Sequence, residues 1–95
     1  MRDIVWSGPA LGDLRRISAW LMENADPDTA VWILAAIRSA CNTLENFPSR
    51  SPLLAQDHRK LRVKGTRYLI IYRVSEAGIF VTRVFHARED WQLDA

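Results

Sequence analysis

The chain has 95 residues, of which 48% are hydrophobic and 25% charged, and its formal net charge at pH 7 is +2. So short a sequence supports one hydrophobic core, and we expect a single domain over residues 1–95. It contains no apolar run of about 18 residues and no basic-then-apolar leader, which predicts a cytoplasmic protein without a membrane partner. Its single cysteine excludes an internal disulfide.

The first predicted elements are a short strand and a helix. Residues 4–6 (IVW) form an apolar run, followed by Ser7 as a helix cap and Pro9 in the first turn. Apolar residues then recur at three- and four-residue steps, which predicts an amphipathic helix over about residues 8–23.

A second helix follows at once. Residues 26–28 (DPD) are a helix start signal, with carboxylates near the positive end of the helix dipole. The apolar stripe includes Cys41, which we expect to be an inert buried thiol, and the helix is expected to end near residues 46–48 (NFP). Because the connection between the two helices is so short, they are predicted to pack as an antiparallel hairpin.

The second half of the chain alternates with a period of two after a polar loop. The predicted strands are residues 61–63, 67–74 and 79–85, joined by turns at 64–66 and 75–78. In the last strand we expect Ile79, Val81, Arg83 and Phe85 to share one face. The elements together predict an α+β fold of order β-α-α-β-β-β, an antiparallel sheet with an α-helical hairpin packed on one face.

Positive charge is concentrated in the second half. Residues 59–88 hold eight basic residues against Glu76 alone. The eight are Arg59, Lys60, Arg62, Lys64, Arg67, Arg73, Arg83 and Arg88. This distribution indicates an acidic partner, either nucleic acid or an acidic protein surface.

Several short motifs resemble those of the RelE/ParE toxin superfamily. In chain order they are V-W-S (5–7), A-x-x-D-L-x-x-I (10–17), N-F-P (46–48), L-R-V (61–63), Y-x-x-x-Y-R-V (68–74) and R-V-F-H-A-R-E-D-W (83–91). The resemblance covers nearly the whole chain and is nearer to the ParE branch. It implies a RelE/ParE-like toxin of a type II toxin–antitoxin system, bound in a hetero-oligomer by a ParD-like antitoxin, with operator DNA contacted only through that antitoxin.

The resemblance implies one of two activities. ParE-like toxins poison DNA gyrase by binding it, whereas RelE-like toxins are ribosome-dependent endoribonucleases that cleave messenger RNA. The gyrase interpretation is preferred and assigns no catalytic residue. It gives target binding to the end of the last strand and its surroundings, namely to Arg62, Lys64, Arg83, His86, Arg88 and Trp91.

The ribonuclease alternative needs a proton acceptor, a proton donor and cations for the phosphorane charge. Its candidates are Lys60 and Arg62, which project from one face, and His86. Against it, Leu69 stands where RelE-like enzymes tend to place an arginine, and the tail lacks a second aromatic group unless Trp91 substitutes.

Other interpretations remain open at the level of sequence. A non-catalytic RNA-binding module would stack bases on Tyr68, Tyr72 and Phe80, although the two tyrosines also fit a core. His86 also fits a histidine hydrogen-bonded to the backbone or to Asp90. No pattern of metal ligands or phosphate-binding glycines is present, so we expect no cofactor and no metal.

Overall fold

Two helices and four strands follow one another in the order predicted from the sequence. The structure, a computed structural model, describes residues 3–49, 51–54 and 57–88. The elements are β1 Ile4–Trp6, α1 Gly8–Asn24, α2 Pro27–Asn42, β2 His58–Arg62, β3 Tyr68–Ser75 and β4 Gly78–His86. None of the described helices has the length and apolar character needed to cross a membrane.

The start of α1 is fixed to the sheet by its cap. The Ser7 hydroxyl accepts a hydrogen bond from the Ala10 amide at 3.0 Å and donates one to the Thr82 carbonyl at 2.8 Å. The Ser7 amide also donates to the Val81 carbonyl at 2.9 Å. The predicted cap and first-turn proline are confirmed, and the same cap joins the helix to β4.

The start of α2 matches the sequence signal, but its end comes earlier than expected. The Asp26 side chain caps the helix by accepting from the Thr29 amide at 2.7 Å, and hydrogen bonds with Thr29 hold the pKa of Asp26 below its ordinary value. The helix ends at Asn42, and a short 3-10 turn Thr43–Glu45 follows it. In this tighter last turn, the Thr43 hydroxyl donates a hydrogen bond to the Ala40 carbonyl at 2.6 Å.

The sheet has the strand order β1-β4-β3-β2. The predicted antiparallel meander of β2, β3 and β4 is confirmed, while β1 pairs parallel to β4, so the four-stranded sheet is mixed. β2 begins at His58, three residues before the predicted Leu61. Its polar first half is stabilised as a strand because Leu53 pairs antiparallel with Arg59 across the outer edge.

A bulge in β4 changes which side chains face the helices. Ile71 pairs with Arg83 and Tyr72 with Val81, which leaves Thr82 as an extra residue. The Thr82 hydroxyl donates to the Ile71 carbonyl at 3.0 Å. The prediction that Arg83 shares a face with Val81 is therefore wrong, because the inserted residue shifts the alternation.

The helices cover one face of the sheet and form the core with it. On β3, Tyr68, Ile70 and Tyr72 belong to this core, and the Tyr72 hydroxyl donates to the Pro48 carbonyl at 2.9 Å. Cys41 is buried in the same core, where burial raises the pKa of its thiol to about 12. The expected core thiol is confirmed.

The other face of the sheet, called here the outer face, carries residues that alternate with the core positions. Leu69 and Ile71 of β3 are buried although they lie outside the core cluster, and Phe85 of β4 is nearly buried there too. Long basic side chains from β2 share this face, since Leu61 between them points into the core. The outer face is therefore apolar at its centre and basic towards β2.

Candidate functional site

Basic side chains gather at one end of the sheet. β2 and β4 both end there and β3 begins there, because Arg62 pairs with Leu69 and His86 pairs with Tyr68. The set at this end, called here the basic end, consists of Arg62, Lys64, Arg67, His86 and Arg88. Four of the six residues predicted to bind a target, Arg62, Lys64, His86 and Arg88, are thus brought together.

Lys64 is presented by a firmly held turn between β2 and β3. Gly65 adopts a φ of +82°, a left-handed conformation that suits glycine, as the turn signal predicted. Thr66 donates to the Val63 carbonyl from both its amide, at 3.1 Å, and its hydroxyl, at 2.9 Å. The Trp32 ring of α2 lies against Gly65, where an added Cβ would be 3.5 Å from the ring.

His86 is held by its own strand neighbour and by the chain that follows it. Its ring packs edge-on against Tyr68, with the ring centroids 5.2 Å apart and the planes at 89°. The Arg88 amide donates to His86 Nδ1 at 3.1 Å, which fixes the orientation of the ring. The structure thus shows a backbone hydrogen bond to His86, and Asp90 lies outside the described residues.

A groove runs between α1 and the end of β4. It encloses about 400 Å³ and is lined by Arg16, Ile17, Trp20, Tyr68, His86 and Arg88. Trp20 is 56% exposed, and its ring adds aromatic surface to this groove. The groove offers aromatic surface and arginine side chains together, a combination common where proteins bind proteins.

Arg83, another predicted target-binding residue, is engaged by a buried carboxylate. Its Nε and Nη2 atoms donate to Asp13 of α1 at 2.8 and 2.9 Å, and its guanidinium lies 4.5 Å from the centroid of the Phe85 ring. Arg16 also donates to Asp13. The sequence alone does not predict the pairing of Arg83 with Asp13. The Arg83 side chain is 39% exposed.

Asp13 belongs to this candidate site although it is not among the residues predicted from the sequence. It is 2% exposed, and it also accepts from the Val84 amide at 2.9 Å. Burial alone raises the pKa of Asp13, but the hydrogen bonds from Arg83, Val84 and Arg16 outweigh burial and leave the pKa below its ordinary value. Asp13 is therefore ionised at neutral pH.

The position of Asp13 follows from where β1 stops. β1 ends with Trp6 opposite Val81, so the next part of β4 has α1 beside it instead of a strand. The Asp13 carboxylate lies where a neighbouring strand would otherwise be, and it accepts a hydrogen bond from the Val84 amide. A signal was present in the sequence, because Asp13 lies three residues after Ala10 and four before Ile17, on the buried stripe of α1.

The residues of the ribonuclease alternative do not meet. Lys60 and Arg62 lie on the outer face, since Leu61 between them is in the core. His86 lies on the helix-covered face with Tyr68. The combination of Lys60, Arg62 and His86 expected from the sequence is therefore wrong, because the sheet separates the histidine from the two cations.

A different histidine shares the outer face with those cations. His58 pairs with Arg73 and stands two residues before Lys60 on β2. Lys60 and Arg83 both pair with Ile71, so they lie in one row across three strands. The sequence does not predict a strand at His58, because the first half of β2 lacks apolar residues.

The base-stacking platform of the RNA-binding alternative does not form. Tyr72 is fully buried and Tyr68 is 5% exposed, which places both in the core, and the guanidinium of Arg73 covers the Phe80 ring at 5.5 Å. Within residues 3–49, 51–54 and 57–88, no three metal-ligating side chains come together. Trp91, the remaining predicted target-binding residue, lies outside the described residues.

Comparison of the sequence with protein families and with curated proteins points to toxins. Residues 4–91 match the family model described as the ParE toxin of the type II toxin–antitoxin system parDE. The candidate toxin Y4kP of Sinorhizobium fredii is 34% identical over 91 residues, which cover 95% of this chain and 93% of Y4kP. Toxin RelE1 of Caulobacter vibrioides is 29% identical over 79 residues, which cover 81% of this chain and 84% of RelE1.

Solved structures share the fold at low sequence identity. The chromosomal ParDE toxin–antitoxin system of P. aeruginosa contains a chain that matches with a TM-score of 0.81 and 19% identity, covering 90% of this chain and 96% of that one. The DinJ–YafQ complex of E. coli matches with a TM-score of 0.64 and 15% identity, covering 97% of this chain and 100% of that one. A further structure of the DinJ–YafQ pair is described as a toxin–antitoxin complex, and it matches with a TM-score of 0.63 and 15% identity, covering 96% of this chain and 98% of that one.

Proposed function

Because this chain belongs to the ParE toxin family of type II toxin–antitoxin systems, we propose that it inhibits DNA gyrase by direct binding and is neutralised by a ParD-like antitoxin. The family assignment makes it the toxin component of such a pair. The geometry of the site supports two further parts of the proposal. DNA gyrase is the target, and the toxin acts on it by binding, without catalysis.

One observation carries this proposal: the sheet separates His86 from Lys60 and Arg62. A ribonuclease built on these three needs the proton-transferring group within hydrogen-bond reach of the phosphate that the cations hold. A protein ligand needs only a complementary surface, and the basic end supplies one from side chains on both faces of the sheet.

The contacting surface we propose is the basic end together with Arg83 and Trp91. Arg88 is exposed, and the Trp20 ring beside it in the groove adds apolar area. Arg83 is oriented by Asp13, and 39% of its side chain is exposed. Arginine and aromatic side chains of this kind carry most of the energy in many interfaces.

The antitoxin part of the proposal rests on charge and on the family. The basic second half of the toxin would attract acidic residues in a flexible antitoxin tail that folds as it binds. Operator DNA would be bound by the antitoxin within the hetero-oligomer. We expect the toxin to act in the cytoplasm.

The binding proposal is tested by measuring the affinity of the purified chain for DNA gyrase. Arg88→Glu should weaken binding about tenfold or more, because it places a like charge against the acidic partner surface. Arg15→Glu is the matched control, since it makes the same charge change on α1 away from the basic end, and its affinity should stay close to that of the wild type. Equal affinities for both variants, or no gyrase binding by the wild type, would contradict the proposal.

A second candidate function is favoured by the row of groups on the outer face. His58, Lys60 and Arg62 project from that face of β2, and Arg83 lies in register with Lys60. A histidine beside three cations is a set able to transfer a proton and stabilise a phosphorane. If the chain cleaves messenger RNA on ribosomes, His58→Ala should abolish cleavage while His86→Ala should retain it.

A further inference from the structure

The groove between α1 and the end of β4 combines an apolar floor with an exposed indole. Ile17 and Tyr68, which line the groove from the helix and from the sheet, are 4% and 5% exposed and form its floor. Trp20 stands beside them on α1, and more than half of its surface is open to solvent. The groove therefore offers a flat aromatic face next to an enclosed volume, an arrangement against which a planar ligand can stack.

Two arginines line the same groove, and each is held by a contact within the protein. Arg16, one turn before Trp20 on α1, donates to the buried Asp13 carboxylate, and 53% of its side chain is exposed. Arg88 is exposed, and its amide donates to His86 Nδ1 at 3.1 Å in the turn after β4. These contacts restrict the positions of the two arginines before a ligand arrives, which lowers the entropy cost of binding an anion.

The size of the groove limits what it can enclose. Its volume of about 400 Å³ lies within the range of small-molecule sites, about 300–1,000 Å³. One turn of an α-helix with its side chains, about 10 Å wide and 5.4 Å long, already occupies about 400 Å³, so a helix of any length would extend far beyond the groove. A small ligand fits the enclosed volume better than a folded segment does.

The lining of the groove selects a planar aromatic ligand that carries an anionic group. A purely apolar ligand would cover the guanidinium groups without offering them an acceptor, which is unfavourable. A small inorganic anion would leave the Trp20 ring open to solvent. A nucleotide satisfies both parts of the lining, because its base stacks on aromatic side chains and its phosphate accepts charge-assisted hydrogen bonds from arginine.

We propose that this groove binds a free nucleoside monophosphate, with the base stacked on Trp20 and the phosphate held by the guanidinium groups of Arg88 and Arg16. The site lies on the helix-covered side of the sheet, so it is separate from the cations Lys60 and Arg62 of the outer face. A bound nucleotide would cover Arg88, which belongs to the basic end. The nucleotide would then compete with gyrase for this part of the toxin.

Titrations of the purified wild-type chain with three ligands separate the base from the phosphate. Adenosine monophosphate (AMP) carries both groups, adenosine lacks the phosphate, and ribose 5-phosphate lacks the base. We expect AMP to bind about tenfold more tightly than adenosine, since adenosine forms no charge-assisted hydrogen bonds with the arginines. AMP should bind about 5- to 150-fold more tightly than ribose 5-phosphate, the range for stacking of one base on an aromatic side chain.

The indole N–H signals in NMR spectra of the same titrations locate the ligand. Trp20 and Trp32 are both 56% exposed, but Trp32 lies on α2 against Gly65, away from the groove. AMP should shift the signal of Trp20 and leave that of Trp32 in place. The tryptophan that is equally open to solvent thus serves as an internal control for non-specific stacking.

Matched variants test the two contacts separately. Trp20→Ala should weaken AMP binding about 5- to 150-fold, whereas Trp32→Ala should leave it within about twofold of the wild type. Arg88→Gln should remove most of the preference for AMP over adenosine. Arg15→Gln, which changes an arginine in the groove between α1 and α2, should retain that preference. Circular dichroism and thermal unfolding verify that the variants fold.

Several results would overturn this inference. They are equal affinities for the three ligands, a shift at Trp32 without one at Trp20, and a folded wild-type chain that does not bind AMP. A single-stranded oligothymidylate of about eight nucleotides that binds at Trp20 about tenfold more tightly than AMP also overturns it, because the affinity then comes from a run of phosphates. The titrations contain no gyrase, so their failure leaves the proposed function intact. They also need no variant, so they decide the question even if a variant fails to fold.

Discussion

The carboxylate of Asp13 in α1 accepts two hydrogen bonds from the guanidinium of Arg83 in β4, at 2.8 and 2.9 Å, across 70 positions of sequence. The same carboxylate accepts a hydrogen bond from the Val84 amide at 2.9 Å, next to the point where β1 ends. One buried side chain thus holds the first helix against the last strand. It also sets the position of an arginine proposed to contact the target.

Removing this carboxylate should cost much of the stability. Asp13→Ala leaves the Val84 amide buried without its acceptor and removes the carboxylate that accepts two hydrogen bonds from Arg83. We expect a loss of about 3 kcal/mol in the free energy of unfolding, the lower part of the range for broken buried pairs, because Arg83 stays partly solvated. Urea denaturation measures it. Glu23→Ala, an exposed acid on the same helix, is the control and should change stability by less than about 0.5 kcal/mol.

Acid should weaken the fold through Asp13. Its pKa is lowered by folding below the ordinary value of 3.8, so its carboxylate stabilises the fold above that pH and the stabilisation is lost as the pH falls through the lower, folded-state pKa. The difference in unfolding free energy between wild type and Asp13→Asn should therefore be large at pH 7 and shrink as the pH falls below the ordinary value of 3.8. Asp26, whose pKa is also lowered, is present in both proteins and cancels in the difference. A difference that grows on acidification would contradict the account.

Two glycine substitutions should change stability in opposite directions. At Gly78, with φ +153°, an added Cβ would lie 2.7 Å from the Asp3 carbonyl oxygen, which accepts from the Ile79 amide. Gly78→Ala should destabilise the protein by about 1–3 kcal/mol. Gly12 lies within α1 with its nearest contact 4.0 Å away at Arg15, so Gly12→Ala should stabilise by about 0.5–1 kcal/mol. Thermal unfolding of both variants checks the signs.

The thiol of Cys41 should be inert in the folded protein. It is fully buried, and burial raises its pKa to about 12, so almost no reactive thiolate forms at neutral pH. A thiol reagent such as dithionitrobenzoate should label the protein only after denaturant is added. Rapid labelling of the native protein at pH 7 would show that the core around α2 opens easily.

Local signals predicted most of the elements. Ser7 and Asp26 carry side chains that cap helices, and the three- and four-residue spacing of apolar residues gave both helices. Side-chain alternation with a period of two predicted strands β3 and β4, and Gly65 predicted the turn between β2 and β3. These features depend on residues close together in the chain, which is why a single sequence was sufficient.

The remaining features depend on contacts between distant residues. Nothing near Ile4 indicates that β1 pairs parallel with a strand more than 70 residues away, and the bulge at Thr82 is defined by the pairing of β4 with β3. His58 became a strand residue because Leu53 and Arg59 close the edge beside it. These contacts determine which residues lie on each face of the sheet. They therefore also determine that His86 is separated from the cations of the outer face.

The most direct measurement for the central claim is a DNA gyrase supercoiling and cleavage assay with purified toxin free of antitoxin, run beside a ribosome-dependent messenger RNA cleavage assay. The account predicts that gyrase is inhibited, that the messenger RNA stays intact and that added ParD-like antitoxin restores supercoiling. Cleaved messenger RNA with unaffected gyrase would contradict it and would transfer the function to His58 and the cations of the outer face.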